Sequence, residues 1–241
     1  MIFDGKAALV TGGSRGIGRT IATMFAQNGA AVAINYLRQT AAAEATVAEL
    51  QRSGANAIAI KADLRGPERV ANMVARATVE FGGLDFVVSN AASGSNKPSM
   101  ELKPSGWDWT LKINARSLLL LAQSALPHFR RRGGGRIVSI SSLGAIRVNE
   151  NYTSVGVSKA ALEALTRYVA VELAPEHVVV NCVSASTVRT EALDHFPNAE
   201  QMVAAALERT PAGRMVTAED IAAVVRFLCS PEAEMIVGQT I

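Results

Sequence analysis

Thr11-Gly12-Gly13-Ser14-Arg15-Gly16-Ile17-Gly18 follows the apolar run Ala7–Thr11 directly and opens a stretch, Ile17–Asn28, whose apolar residues recur at helical spacing. A strand that feeds a glycine turn at the start of a helix is built to receive a pyrophosphate. Glycines let the backbone approach the phosphates, and the helix's amino end offers unpaired N–H groups and positive potential. The spacing is Gly-x-x-x-Gly-x-Gly, not the commoner Gly-x-Gly-x-x-Gly. Glycines also make ordinary caps and bends, but this turn stands at the first strand–helix junction of the chain, which points to dinucleotide binding.

The same alternation continues outward. Short runs rich in Val, Ile and Ala predict buried strands at Ala31–Tyr36, Ala57–Lys61, Asp85–Asn90, Arg136–Ser141 and Val178–Val183. Between them, periodic stretches predict helices at Ala41–Arg52, Glu68–Phe81, Trp107–Arg131, Thr153–Leu173 and Ala218–Cys229. Strands without polar alternation suit a parallel sheet covered on both faces, and strand–helix repetition gives right-handed crossovers. The expected fold class is α/β: a single-domain, Rossmann-like doubly wound parallel sheet over residues 1–241, with its sites at the carboxyl ends of the strands. The segment of about 25 residues after Thr190, roughly 191–215, breaks the rhythm and is expected to be a substrate lid.

Composition narrows the function classes. The 241 residues are 49% hydrophobic and 19% charged, and a net charge of +3 is too small to argue for nucleic acid. No apolar run reaches the ~18 residues of a membrane span, and no signal peptide is evident at Met1. Cys182 and Cys229 are the two cysteines and have no metal-like spacing, which points to a reduced, cytoplasmic setting. His128, His177 and His195 share no spacing that suggests a metal.

The cofactor's identity is read at the end of the second predicted strand. Enzymes that use NAD usually carry an acid there to hold the ribose hydroxyls. Here the stretch is Asn35-Tyr36-Leu37-Arg38, with no acid, and Arg15 stands in the glycine turn. Both arginines suit a 2′-phosphate, which pairs well with guanidinium forks; the alternative is two solvated surface arginines. NADPH is therefore expected. Asp63-Leu64 ends the third strand and Asn90 the fourth, both at the cofactor edge, although Asp63 also suits a plain turn.

The glycine turn, Asp63, Ser-Asn-Ala-Ala at 89–92, Asn114 in Lys-Ile-Asn-Ala, and Ile-Ser-Ser at 140–142 together resemble the short-chain dehydrogenase/reductase family, over essentially the whole chain. In that family a Tyr and a Lys four residues later carry the chemistry, helped by a Ser and an Asn. Lys159 is the matching lysine, but Val155 occupies the tyrosine position. A tyrosine stands seven residues before Lys159, giving Tyr152-x6-Lys159. Both spacings return to nearly the same helix face, with rises of ~10.5 Å and ~6 Å. Tyr-x6-Lys with Ser-Ile-Ser-Ser-Leu-Gly-Ala-Ile-Arg, Asn-Ala-Ala-Ser-Gly at 90–94 and Trp107-Asp108-Trp109-Thr110 is similar to the NADPH-dependent enoyl-acyl-carrier-protein reductase III class.

That resemblance implies reduction of the 2,3-double bond of an enoyl thioester, carried on acyl carrier protein. Tyr152 would hold the thioester oxygen. Lys159 would bind the nicotinamide ribose and lower the phenol's pKa. Ser142 would take the family's serine place, catalytic or only lining the pocket. Asn114 would anchor a water chain or bond helix backbone. Val188 and Thr190 would contact the cofactor's carboxamide and phosphate. Leu118–Leu121 and Ala160–Leu173 are apolar throughout and imply a homodimer or homotetramer, unless they are simply buried within one subunit. Two alternatives stay open: a 3-oxoacyl or other ketone reductase with its tyrosine in an unusual register, and a nucleotide-binding member without catalysis. The sequence also departs from the family at Ala185-Ser186, where Pro-Gly is usual. It ends at Gly238-Gln239-Thr240-Ile241, short of the family's last strand and Val-Asp-Gly-Gly tail, so a seventh strand is not assured.

Two further features invite smaller readings. Arg130-Arg131-Arg132 before Gly133 reads as cations at a helix carboxyl end with a glycine stop, ahead of a docking site for an acidic carrier. Trp107 and Trp109 cannot face the same way on a helix, so one is expected in the core.

Overall fold

A computed structural model describes residues 1–191, 193 and 199–241. Its sheet contains β1 (Ala7–Val10), β2 (Ala31–Tyr36), β3 (Ala57–Lys61), β4 (Phe86–Ser89), β5 (Gly135–Ser142) and β6 (Val178–Ala185), in the order β3-β2-β1-β4-β5-β6, with all ladders parallel. This is a doubly wound sheet whose strand order reverses between β1 and β4, and the crevice outside those strand ends is where such folds bind ligands.

Alternation along the strands divides the core between the two faces. On β1, Ala8 and Val10 pack on one side with α1 (Gly16–Gln27) and α8 (Ala218–Leu228), while Leu9 packs on the other with α3 (Pro67–Phe81), α5 (Ser117–Arg132) and α6 (Thr153–Leu173). α2 (Thr40–Arg52) covers the sheet beside β2 and β3. Phe3, Phe25 and Phe86 cluster with centroids 4.8–5.4 Å apart, Phe25 stacked on Phe86 and Phe3 tilted against both, and pin the start of the chain under β4.

The predicted strands lie where expected to within two residues at either end. The long helix expected over Trp107–Arg131 is not one regular helix. α4 (Pro104–Leu111) begins earlier, with Pro104 at its first turn, where a missing N–H costs nothing. A π-helical turn, Lys112–Arg116, then joins it to α5. That turn holds one residue more than the helical period, which rotates Ile113, Asn114 and Ala115 into buried positions. The stop after the arginines is as read: Gly133 adopts a left-handed φ of 75°. Arg130 pairs with Glu176 and Arg132 with Asp85, so these cations brace the fold rather than present a free basic patch.

The expected lid falls partly on residues 192 and 194–198, outside the described residues; within it α7 runs Ala199–Glu208. At the other edge, the chain's final residues pair in parallel beyond β6. Cys182 N–H donates to Gln239 O at 2.8 Å, Ile241 N–H to Cys182 O at 3.0 Å and Ser184 N–H to Ile241 O at 2.7 Å. They form an isolated parallel bridge, Cys182 with Thr240, at the edge of the six-stranded sheet. Among the described residues, no helix is long and apolar enough to cross a membrane. Leu119 on α5 and Val157, Tyr168 and Val171 on α6 remain exposed.

Candidate active site and cofactor cleft

A cleft of about 520 Å³ opens at the reversal between β1 and β4. Its walls are Gly12, Ser14, Arg15, Gly16, Ile17 and Gly18 of the glycine turn, Arg38 after β2, Asp63 and Leu64 after β3, Asn90 after β4 and Thr190 after β6. The residues selected from the sequence at these strand ends thus come together in one cleft.

The geometry fits a dinucleotide. α1 has no side-chain cap at its amino end and no acidic residue in its first turn, so its N–H groups and dipole remain available to an anion. Gly12 adopts a left-handed φ of 64°. A Cβ at Gly18 would lie 2.3 Å from Gly12 O, so only glycine lets the helix start this close to the strand. Asn90 supports the turn from behind: its amide donates to Thr11 O at 2.9 Å, and its backbone N–H donates to Thr11 Oγ1 at 2.9 Å.

Asp63 combines its two expected roles. It lines the cleft, and it also makes a turn by accepting from the backbone N–H of Arg65 at 3.0 Å. The Arg65 guanidinium forks onto the same carboxylate and holds its pKa below the usual range. Arg65 also lies 3.8 Å above the Trp109 ring, whose Nε1–H donates to Ser93 Oγ at 3.0 Å. Neither tryptophan is core; both are half-buried, and Thr110 is the buried residue of that turn. The expectation failed because Trp109 is turned to the cleft wall. Ser93, Trp109 and Glu191, which pairs with Arg15 at 3.3 Å, are wall residues that sequence reasoning did not select.

Val188, by contrast, is 9% exposed and packs into the core, flanking a groove between α1 and α8 instead of the cleft.

Tyr152 precedes α6 and Lys159 lies within it; with Ser142 and Asn114 they are not among the cleft's wall residues, although Asn114 bonds to one of those, Ser93. Tyr152 is the residue before the helix's first turn, with φ −110°. Its phenol is hydrogen-bonded with Ser142, whose Oγ also accepts from Gly144 N–H at 3.1 Å. Burial pushes the phenol's pKa up, and the Ser142 bond acts the other way. The expected lowering by Lys159 does not occur, because the lysine points elsewhere. Its Nζ donates to Ile140 O at 2.6 Å, and the residue is 6% exposed. Burial brings the ammonium's pKa down to about 8.

Val155, in the position of the family's usual tyrosine, is 8% exposed and rests against Gly94, where an added Cβ would meet Val155 Cγ2 at 2.1 Å. The 93–99 loop is tied to this helix end: Ser154 Oγ–H donates to Ser95 O at 3.3 Å, and the Ser99 and Thr153 hydroxyls are 2.6 Å apart. Asn114 bonds a loop N–H and a serine hydroxyl instead of helix backbone. Its Oδ1 accepts from Ser93 N–H at 2.8 Å and its Nδ2 donates to Ser158 Oγ at 2.9 Å, joining the loop to α6.

Comparison with known proteins agrees with this geometry. A family model described as enoyl-(acyl carrier protein) reductase matches residues 12–241. The chain is 37% identical to a 1-cyclohexenylcarbonyl-CoA reductase of Streptomyces collinus over 238 residues, covering 98% of this chain and 84% of that one. A short-chain dehydrogenase of Burkholderia cenocepacia, solved with NADP, superposes with TM-score 0.91 at 36% identity, covering 100% of this chain and 97% of that one. A 3-ketoacyl-(acyl-carrier-protein) reductase of Brucella melitensis, solved with NADH, gives 0.89 at 30% identity, covering 99% and 96%. With its sheet order, its glycine turn and these full-length likenesses, the chain belongs to the short-chain dehydrogenase/reductase superfamily of oxidoreductases.

Proposed function

We propose that this protein reduces the 2,3-double bond of an enoyl thioester with NADPH. The observation that carries this reading is the tyrosine register. Tyr152 stands at the mouth of α6 against Ser142, while the position four before Lys159 is an apolar Val155 packed on Gly94. When bound, NADPH supplies a hydride to C3 of the substrate. The electron pair of the double bond then moves to the thioester oxygen, two carbons beyond C3, and protonation at C2 completes the saturated product. A ketone reductase needs its donor on the oxygen bonded to the carbon that receives hydride. The displaced phenol of Tyr152 suits the more distant enolate oxygen, and a fixed donor at such an oxygen is a large part of catalysis. Ser142 orients the phenol. Lys159 holds the ribose hydroxyls once its ammonium leaves Ile140 O, and Asn114 keeps the Ser93 loop against α6.

The Streptomyces relative supports the substrate class: the compound in its name carries a double bond beside a thioester carbonyl. Acyl carrier protein is the proposed carrier, with coenzyme A as its rival. Subunits are proposed to pair through the exposed apolar positions of α5 and α6.

The deciding experiment follows NADPH absorbance with crotonyl and acetoacetyl thioesters, each on coenzyme A and on carrier protein. Turnover of the enoyl and not the keto substrate is expected; the reverse preference would overturn the assignment.

Cofactor choice is tested separately. No acid stands at the end of β2, and Arg38 lines the cleft beside Arg15. NADPH is expected to be preferred by about tenfold or more in kcat/KM, ~1.4 kcal/mol. Arg38→Ala should weaken NADPH while leaving NADH nearly unchanged. Equal loss for both cofactors would place Arg38 outside the phosphate site.

A further inference from the structure

The face of α6 turned toward β5 and β6 should be apolar in a core of this kind, and it is not. Lys159, Glu163 and Thr166 recur at i, i+4 and i+7, and all three are buried, at 6%, 8% and 0% exposure. Opposite them lie Ser139 and Ser141 of β5 and Cys182 of β6, also buried. The seam is hydrogen-bonded throughout. Ser141 Oγ–H donates to Glu163 Oε1 at 2.5 Å, and the Ser139 and Thr166 hydroxyls are 3.0 Å apart. Buried charges are costly and are rarely left without purpose. The nearest functional group to this seam is Lys159.

We propose that Glu163 is a positioning residue for Lys159: its buried carboxylate, fixed by Ser141, supplies the counter-charge that keeps the ammonium protonated for its task at the cofactor ribose. The arrangement has the right parts. Glu163 lies one helical turn below Lys159 on the same face, in surroundings where charges act strongly on one another. Ser141 takes up a lone pair of the carboxylate and fixes its place. Among the described residues, the titratable groups that act on the ammonium are Glu163 on its own helix and the Cys182 thiol on β6. From β5 only the Ser139 and Ser141 hydroxyls face the seam, and the π turn contributes the neutral Asn114 amide, through Ser158. Burial pulls the lysine's pKa to about 8, and Cys182 and then Glu163 act against that pull. Without the Glu163 charge, the pKa of Lys159 would fall further.

The inference rests on Lys159 as the ribose lysine, not on any choice of substrate, and its test is independent of turnover. The Lys159 side chain is titrated by NMR in the full-length protein carrying 13C-labelled lysine, with no cofactor present. Glu163→Gln keeps shape and the Ser141 bond but removes charge; the Lys159 midpoint should fall by about one pH unit. Glu163→Asp keeps the charge and changes the packing; its midpoint should stay close to that of the unaltered protein. Ser141→Ala, a second variant should Glu163→Gln not fold, should move the midpoint downward by less.

NADPH binding, followed across pH 6–9, should lose affinity at correspondingly lower pH in Glu163→Gln. A merely structural Glu163 would give the opposite order, with Asp disturbed and Gln nearly normal. That order, or an unmoved Lys159 midpoint in both Glu163→Gln and Ser141→Ala, would overturn the proposal. If the ribose assignment itself is wrong, the midpoint will still move while NADPH affinity ignores it.

Discussion

Tyr152→Phe should lose two to three orders of magnitude in kcat on an enoyl thioester while its affinity for NADPH stays essentially unchanged. The substitution deletes one hydroxyl and little volume. The lost hydroxyl is the one hydrogen-bonded with Ser142 at the opening of α6. If it holds the enolate oxygen, its removal resembles the loss of one oxyanion donor, roughly 10²–10³ in rate. The phenol is assigned to the substrate side, so cofactor binding should change little. Val155→Tyr is the complementary probe. It places a phenol four residues before Lys159, beside Gly94 and the 93–99 loop that Ser154 and Ser99 tie to α6. In a Tyr152→Phe background it should not rescue enoyl reduction. Near-normal crotonyl-thioester turnover by Tyr152→Phe would end the register argument.

Lys159→Met should separate function from stability. Loss of charged hydrogen bonds to the ribose should cost roughly 10- to 100-fold in NADPH affinity, since such bonds contribute ~1.5–3 kcal/mol. The same substitution should make the protein more stable. Lys159 titrates at about 8 in the folded chain against 10.5 ordinarily, so its net balance in the fold, with the favourable effect of Glu163 included, is unfavourable to the charge. Below pH 8 the lysine is charged in both states and the full cost is present. Between pH 8 and 10.5 only the unfolded chain holds the proton, so the stability of the unaltered protein rises with pH. Above that window no cost remains. Lys159→Met should therefore gain on the order of 1–3 kcal/mol at pH 6–7, and the gain should fade toward pH 10. Denaturant titrations at pH 6.5 and 9.5 read this directly. A loss of stability at the lower pH would mean that the lysine is a structural keystone and not a strained functional group.

What was legible in the sequence was local. The glycine turn declares itself by spacing, and the strands by unbroken Val, Ile and Ala. Strand ends such as Asp63 and Asn90 fall at the cleft because the fold puts all strand ends there. The remainder depends on contacts between distant segments. The π turn at Lys112–Arg116 adds one residue to a helical count, and the apolar run Leu118–Leu121 hides the slip. Trp109 faces the cleft because Ser93 and Arg65 hold it there, which helical phase does not reveal. Lys159 turns to Ile140 O over a polar seam whose serines sit in what reads as an ordinary apolar strand. That Val155 packs against a glycine is written at position 94, more than sixty residues earlier.

Trp109 also gives the molecule an optical use. The chain has two tryptophans, both on α4, and Trp109 forms part of the wall of the nucleotide cleft beneath the Arg65 guanidinium. A dihydronicotinamide dinucleotide bound in that cleft brings an acceptor of indole emission within a few side-chain lengths. Fluorescence of the native protein should thus report a dinucleotide binding in the cleft, and Trp109→Phe, with Trp107 left as an internal reference, should abolish that part of the signal.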